Sequence, residues 1–227
     1  MKRTFFNSKS KDKQYLVIGC GRFGSSVAKK MCQLGNEGMV IDKDEDSINN
    51  IAELVTHTAI VDVTEERDLK SIGLGNFDVV IVAISSDIRA SIMATVMAKE
   101  MGVPKVVCKA KDELQAKVLY KIGADKVVFP ERDMGIRLAY NLASENILDQ
   151  INLDPEYSIM EIVTPQNWVG KTIIELNLRA KYDIPVLAVK TQSGLKVMPS
   201  PNYKMQEKNI LIIIGNTDKI SDIILEN

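Results

Sequence analysis

A short apolar run followed by Gly19-Cys20-Gly21-Arg22-Phe23-Gly24 limits the fold of this chain more than any other stretch. Gln14 to Ile18 reads as a strand, Ser25 to Gly35 as a helix, and Met39 to Asp42 as a second strand ending in an acid. In such a turn the first glycine permits a tight exit from the strand. The second lets the backbone approach a pyrophosphate, and the third lets the helix pack closely on the sheet. Gly19, Gly21 and Gly24 take these roles in order. A helix opening near Arg22 directs free N–H groups and its positive dipole end at phosphates. Asp42, about 20 residues past the turn, stands where a carboxylate accepts from ribose hydroxyls. Its charge opposes a 2′-phosphate, which argues against NADP.

The rest of the first two thirds repeats the strand–helix alternation. Lys43 to Leu54 reads as a helix, Thr56 to Val61 as a strand and Glu65 to Ile72 as a short helix. Asp78 to Ile84 is nearly all apolar, the pattern of a parallel strand buried on both faces. Ser85-Ser86-Asp87 then supplies cap oxygens for a helix from Ile88 to Met101. Lys105–Cys108 and Lys126–Phe129 are further strands, with a helix from Lys111 to Ile122 between them. This alternation predicts an α/β fold, a Rossmann-like doubly wound parallel sheet. Ligands of such sheets lie outside the strand carboxyl ends. Beside the glycine turn, with Phe23 inside it, those ends place Asp42, Lys43, Asp62, Thr64, Ser85, Lys109 and Glu131 as candidate binding residues.

Glu131 to Leu148 reads as a long helix carrying more apolar surface than one small sheet needs, a surface for a second copy of the chain. Asn152-Leu153-Asp154-Pro155 breaks the pattern and marks a boundary. The remainder reads as a small α+β unit, with strands at Tyr157–Val163, Ile184–Lys190, Leu195–Met198 and Ile210–Ile214 and short helices at Lys171–Asn177 and Asp218–Leu225. The expected organisation is a basic mobile tail over 1–13, a nucleotide-binding domain with its crossover helix over 14–148, and a ligand domain over 156–227.

Composition narrows the function classes. A formal net charge of -1 leaves no basic footprint for nucleic acid. The cysteines Cys20, Cys32 and Cys108 form no CxxC pair, so a zinc site and a disulfide framework are not expected. Residues 1–13 lack the apolar segment of a signal peptide, and no apolar run approaches the ~18 residues of a membrane span.

No catalytic half accompanies the nucleotide site. The single histidine, His57, falls inside a strand, before its carboxyl end, and no Tyr-x-x-x-Lys pair is present. Val169-Gly170-Lys171-Thr172 resembles the tail of a phosphate-binding loop, but position 165, where that loop needs glycine, is Pro165, which lacks an N–H donor. Arg22, inside the turn, is suited to bidentate bonds with phosphate oxygens. With Lys109 it favours an exposed, highly charged end such as that of ATP or ADP. A carboxylate at Glu131 near polyphosphate implies Mg²⁺ or another cation between them.

Taken together these stretches resemble one family. Leu16-Val17-Ile18-Gly19-Cys20-Gly21-Arg22-Phe23-Gly24, Lys121-Ile122-Gly123-Ala124-Asp125 with Phe129-Pro130-Glu131-Arg132-Asp133-Met134-Gly135, Val169-Gly170-Lys171-Thr172-Ile173 and Asn177-Leu178-Arg179-Ala180-Lys181-Tyr182 resemble the regulatory subunits of Ktr/Trk-type bacterial potassium uptake systems, closest to the Ktr type. These are ring-forming proteins built of RCK domains. The resemblance covers the chain from about residue 14 to the end.

The resemblance implies a cytoplasmic, non-enzymatic protein, peripheral at the inner face of the cell membrane. It implies dimers assembling into a homo-octameric ring under a membrane potassium-translocating subunit. It further implies ATP and ADP competing at the glycine turn, NAD or NADH in some relatives, and a cation held by Glu131. In the C-terminal domain it implies cyclic di-AMP, with Asn177, Arg179, Ala180 and Tyr182 in the matching segment and Pro199 nearby. Two positions depart from the family pattern: Cys20, where a larger aliphatic residue is usual, and Asp183, where glycine is usual. The competing readings are an NAD-responsive sensor of other function and a small NAD-dependent oxidoreductase.

Overall fold

The structure, a computed structural model, describes residues 13–143 and 146–225. The expected basic tail lies outside the described residues except for Lys13. The chain divides into two compact units that meet in sequence at Arg132 and Asp133.

The first unit alternates strand and helix as the sequence pattern requires: β1 (Tyr15–Ile18), α1 (Arg22–Gln33), β2 (Gly38–Asp42), α2 (Glu45–Asn49), β3 (His57–Ile60), α3 (Glu66–Ser71), β4 (Val79–Val82), α4 (Ile88–Glu100), β5 (Lys105–Lys109), α5 (Glu113–Lys121) and β6 (Lys126–Val128). The strands are parallel, in the order β3-β2-β1-β4-β5-β6. This is the order that opens a crevice between β1 and β4, where the winding reverses. The apolar strands bury both faces. Leu16, Ile18, Val80 and Val82 join Ala94 and Leu119 in one cluster, whereas Val17, Val79 and Ile81 join Ala28, Ile48 and Ile51 in another. Each fully buried aliphatic side chain contributes about 1.5–3 kcal/mol over leaving it in water.

One helix of this unit is shorter than the sequence pattern suggests. The segment read as Lys43–Leu54 is α2 followed by a separate 3₁₀ turn at Ala52–Leu54. The Asp44 carboxylate accepts from Ser47 N, which starts α2 two residues late. Asn49 and Asn50, weak helix formers, end it.

The long helix also ends early. α6 (Pro130–Ala143) stops before Leu148, and Ile147–Asn152 is a strand, β7, paired antiparallel with β8 (Tyr157–Val163). Asn152–Pro155, read as a boundary, is the turn between these strands. Leu153 N donates to Tyr157 O, and the Asp154 carboxylate accepts from Glu156 N and Tyr157 N. An aspartate bonded to backbone amides just downstream is ordinary turn chemistry, so the break in periodicity marks a hairpin.

The second unit continues with α7 (Ile173–Leu176), α8 (Leu178–Tyr182), β9 (Val186–Thr191), β10 (Gly194–Val197), β11 (Ile210–Asn216) and α9 (Thr217–Leu225). Its sheet runs β10-β9-β11-β8-β7, each neighbour antiparallel. Met160, Ile162, Leu211 and Ile213 point from one face into a core completed by Trp168, Leu176, Leu178, Ile220 and Ile224. The sequence pattern does not reveal α8, whose five residues lie between two left-handed positions, Asn177 (φ 49°) and Asp183 (φ 61°).

Candidate functional site

The glycine turn joins β1 to α1, and its three glycines meet three different demands. Gly19 has φ +100°, and a Cβ there would lie 2.9 Å from Ile84 Cγ1. At Gly24 a Cβ would lie 1.9 Å from the Gly19 carbonyl oxygen, so any side chain forces α1 off the sheet. Gly21 has nothing within 4 Å of a would-be Cβ. That open space is where a pyrophosphate approaches the backbone in such a turn. Gly21 also stands at the N-cap of α1, and no side chain caps that helix. The amides of its first turn are therefore free to meet an anion.

Asp42 is tied to the turn. One carboxylate oxygen accepts from Cys20 N at 2.5 Å and the other from Asp44 N at 3.0 Å. The acid therefore braces the loop as well as facing the crevice, a second role that spacing alone does not show. Cys20 donates its S–H to Ser47 O at 3.3 Å, and burial, then the Asp42 charge, pushes its pKa up. The small thiol is accommodated without obstructing Gly21.

A crevice of about 450 Å³ opens beside the turn. Of the residues singled out from the sequence, Gly19, Gly21, Asp42, Lys43, Asp62, Thr64, Ser85 and Lys109 line it. Asp62 accepts from Thr64 N at 2.9 Å and Thr64 Oγ1 at 2.7 Å, and these bonds hold its carboxyl below its ordinary value. Asp87, at the N-cap of α4, accepts from Ala90 N. Ser47 and Ile84 also line the crevice. Sequence reasoning missed Ser47, whose amide donates to the Asp44 carboxylate at the start of α2.

Arg22, Phe23, Gly24 and Glu131 are not on the crevice wall. Gly24 acts from behind, through packing. Arg22 is exposed at the start of α1. Phe23 is half-buried, with Lys109 Nζ 6.0 Å from its ring centre. Lys109 Nζ also donates to Glu131 Oε1 at 2.6 Å; the lysine side chain is 13% exposed and the glutamate 65%. That bond, with a smaller contribution from the Arg22 charge, holds Glu131 below the ordinary carboxylate range. Lys109 and Glu131 thus form an ion pair at the end of β5. Among the described residues no group of three or more His, Cys, Asp or Glu side chains is gathered as a metal site.

In the second unit Asn177 precedes α8, and Arg179, Ala180 and Tyr182 lie on it, all exposed. Pro199 is half-buried in the loop after β10. That loop is tied to the start of α7, where Ile174 N donates to Pro201 O and Ile173 N to Tyr203 O. Asp183 sits at φ 61°, the left-handed conformation that glycine adopts most readily, so the turn after Tyr182 forms with aspartate in that place. Thr172, in the segment resembling a phosphate-binding loop, is instead the N-cap of α7, in a reciprocal capping box with Glu175.

The TrkA-N domain family matches residues 15–130 and the TrkA-C domain family residues 158–225. The Ktr system potassium uptake protein A of Bacillus subtilis is 41% identical over 210 residues, 92% of this chain and 95% of that one. The Ktr system potassium uptake protein C of the same organism is 44% identical over 209 residues, with 92% of this chain and 95% of that one covered. Among solved structures, the GsuK channel superposes with a TM-score of 0.69 at 16% identity, over 93% of this chain and 38% of the channel chain, and so speaks to the fold. Among the described residues no helix is long and apolar enough to cross a membrane.

Proposed function

The chain belongs to the Ktr and Trk potassium uptake family, with its paired TrkA-N and TrkA-C domains, and on that footing we propose that it is the regulatory subunit of a potassium uptake system and senses adenine nucleotides without chemistry. The observation that carries this reading is the crevice at the glycine turn. It offers an uncapped helix start, an open Gly21 and a braced ribose acid, and on its wall Lys109, which pairs with Glu131 outside the wall. These are features of a phosphorylated-ligand site, and the residues lining the crevice include no histidine or Tyr–Lys pair to move a proton or hydride.

A ligand shifts an equilibrium between two states only by its difference in affinity for them. ATP and ADP differ by one phosphate, so the discriminating groups stand where that phosphate ends: Arg22, Lys109 and Glu131. A terminal phosphate competes with Glu131 for Lys109. Mg²⁺ or another cation would let both anions remain, with Glu131 as its ligand. NAD and NADH fit the same crevice class. In the second unit Asn177, Arg179, Ala180, Tyr182 and Pro199 are the proposed contacts for cyclic di-AMP.

The protein works in the cytoplasm, at the inner face of the membrane, beneath the potassium-translocating subunit. A second copy covers α6, where Met134, Leu138 and Leu142 are 59%, 54% and 77% exposed at helical spacing. Dimers then close into an octameric ring. Light scattering of the full chain with ATP or ADP tests this. An octamer whose hydrodynamic radius differs between the two nucleotides is expected. A monomer indifferent to both, or turnover of NADH with an added substrate, would overturn it.

A further inference from the structure

The second unit holds a cleft that the nucleotide reading does not use. It is about 440 Å³, within the ~300–1,000 Å³ of small-ligand sites. Its floor is apolar: Trp168, Leu176, Leu178 and Ile223 line it and are 4–9% exposed. Lys171, Lys181 and Tyr182 form the rim. Neither lysine makes an ion pair among the described residues. The one acid among the wall residues, Glu175, is held by Thr172: its carboxylate accepts from Thr172 N at 2.7 Å and Thr172 Oγ1 at 2.8 Å. These bonds, aided by Lys204 and Lys171, hold it ionised and below its ordinary value. Asn177, Arg179, Ala180 and Pro199 do not line this cleft; only Tyr182 is shared with the cyclic di-AMP contacts proposed above.

We propose that this cleft, walled by α7, α8 and α9, binds a small amphipathic anion: an aromatic or branched apolar body on the Leu176–Leu178 floor, and a carboxylate, sulfonate or phosphate between Lys171 and Lys181. The two ammonium groups outnumber the single Glu175 carboxylate, so the rim keeps a net positive charge beside the apolar floor and favours that combination over a neutral ligand. They also disfavour a cation. The Tyr182 hydroxyl adds a donor for the same anionic group. Both lysines are exposed, so their charge is available without a folding penalty.

The probe is 8-anilinonaphthalene-1-sulfonate, an aromatic sulfonate whose fluorescence rises out of water, titrated into the full chain. One saturable site per chain is expected, weakening as salt is added. Lys171→Glu with Lys181→Glu weakens it by about tenfold or more. Lys171→Met with Lys181→Met, which keeps the aliphatic stems, loses most of the salt dependence. Circular dichroism checks that both variants remain folded. ATP does not displace the dye, and both variants bind ATP as the parent does, so failure of this site and failure of the nucleotide site are read separately. Dye binding that survives charge reversal unchanged would overturn the proposal by assigning the dye to exposed apolar surface such as α6. Displacement by ATP would overturn it by assigning the dye to the glycine turn.

Discussion

The two units hold clefts of nearly equal volume, about 450 Å³ and about 440 Å³, made of opposite materials. The first is a backbone device. It is made of amides at a helix start, a glycine with empty space above it, and an acid held by two main-chain N–H groups. The second is a side-chain device, an apolar floor with lysines at its rim. A backbone device forces glycine at fixed spacing and is rigid. A side-chain device tolerates many residues at each position and can be retuned without moving the chain.

The largest effect that tests this contrast is at Gly24. Gly24→Ala places a methyl 1.9 Å from a backbone oxygen that has no room to yield. It should cost about 3 kcal/mol or more and abolish ATP binding. In the second unit Gly215→Ala meets Ile184 Cγ1 at 2.9 Å, a side-chain atom farther off and not a backbone oxygen, and should cost about half as much. Denaturant unfolding of the two variants gives the comparison; equal losses would mean that the turn is not the rigid element described.

Asp42→Ala leaves the amides of Cys20 and Asp44 without their acceptor. A loss of about 1–3 kcal/mol of stability follows, with ATP and adenosine weakened alike, as calorimetry of both ligands would show. Weakening confined to ATP would remove Asp42 from the ribose.

A smaller effect is expected at Glu131. Its folded pKa is lowered by Lys109, so its contribution is present above the ordinary carboxylate pKa of about 4.3 and is lost as pH falls through the lowered value. Glu131→Gln should therefore cost at most about 1 kcal/mol. The cost should be constant from pH 8 to 6 and fade in acid below the ordinary carboxylate range. Thermal unfolding across pH measures it, and a difference growing on acidification would contradict the pairing.

The smallest effect is at Asp183. Glycine adopts φ 61° more readily, so Asp183→Gly should raise stability by a few tenths of a kcal/mol, up to about 1. A loss on denaturant unfolding would mean that the aspartate side chain holds the turn.

The same contrast explains what was legible. The parallel sheet and the turn were visible because Gly19 and Gly24 admit few substitutes and because β4 is apolar throughout. The bracing of Cys20 by Asp42 was hidden because it runs between segments 22 residues apart. The hairpin at Asn152–Pro155 was misread because a turn and a linker use the same residues. α8 was invisible because five residues carry no helical period, and the cleft beside it is assembled from separate elements that share no motif.

The most direct test of the sensor reading is calorimetric titration of ATP and adenosine into the parent chain and Arg22→Ala. The account predicts about tenfold or greater loss of ATP affinity with adenosine unchanged. Equal loss of both ligands, or no loss of either, would contradict it.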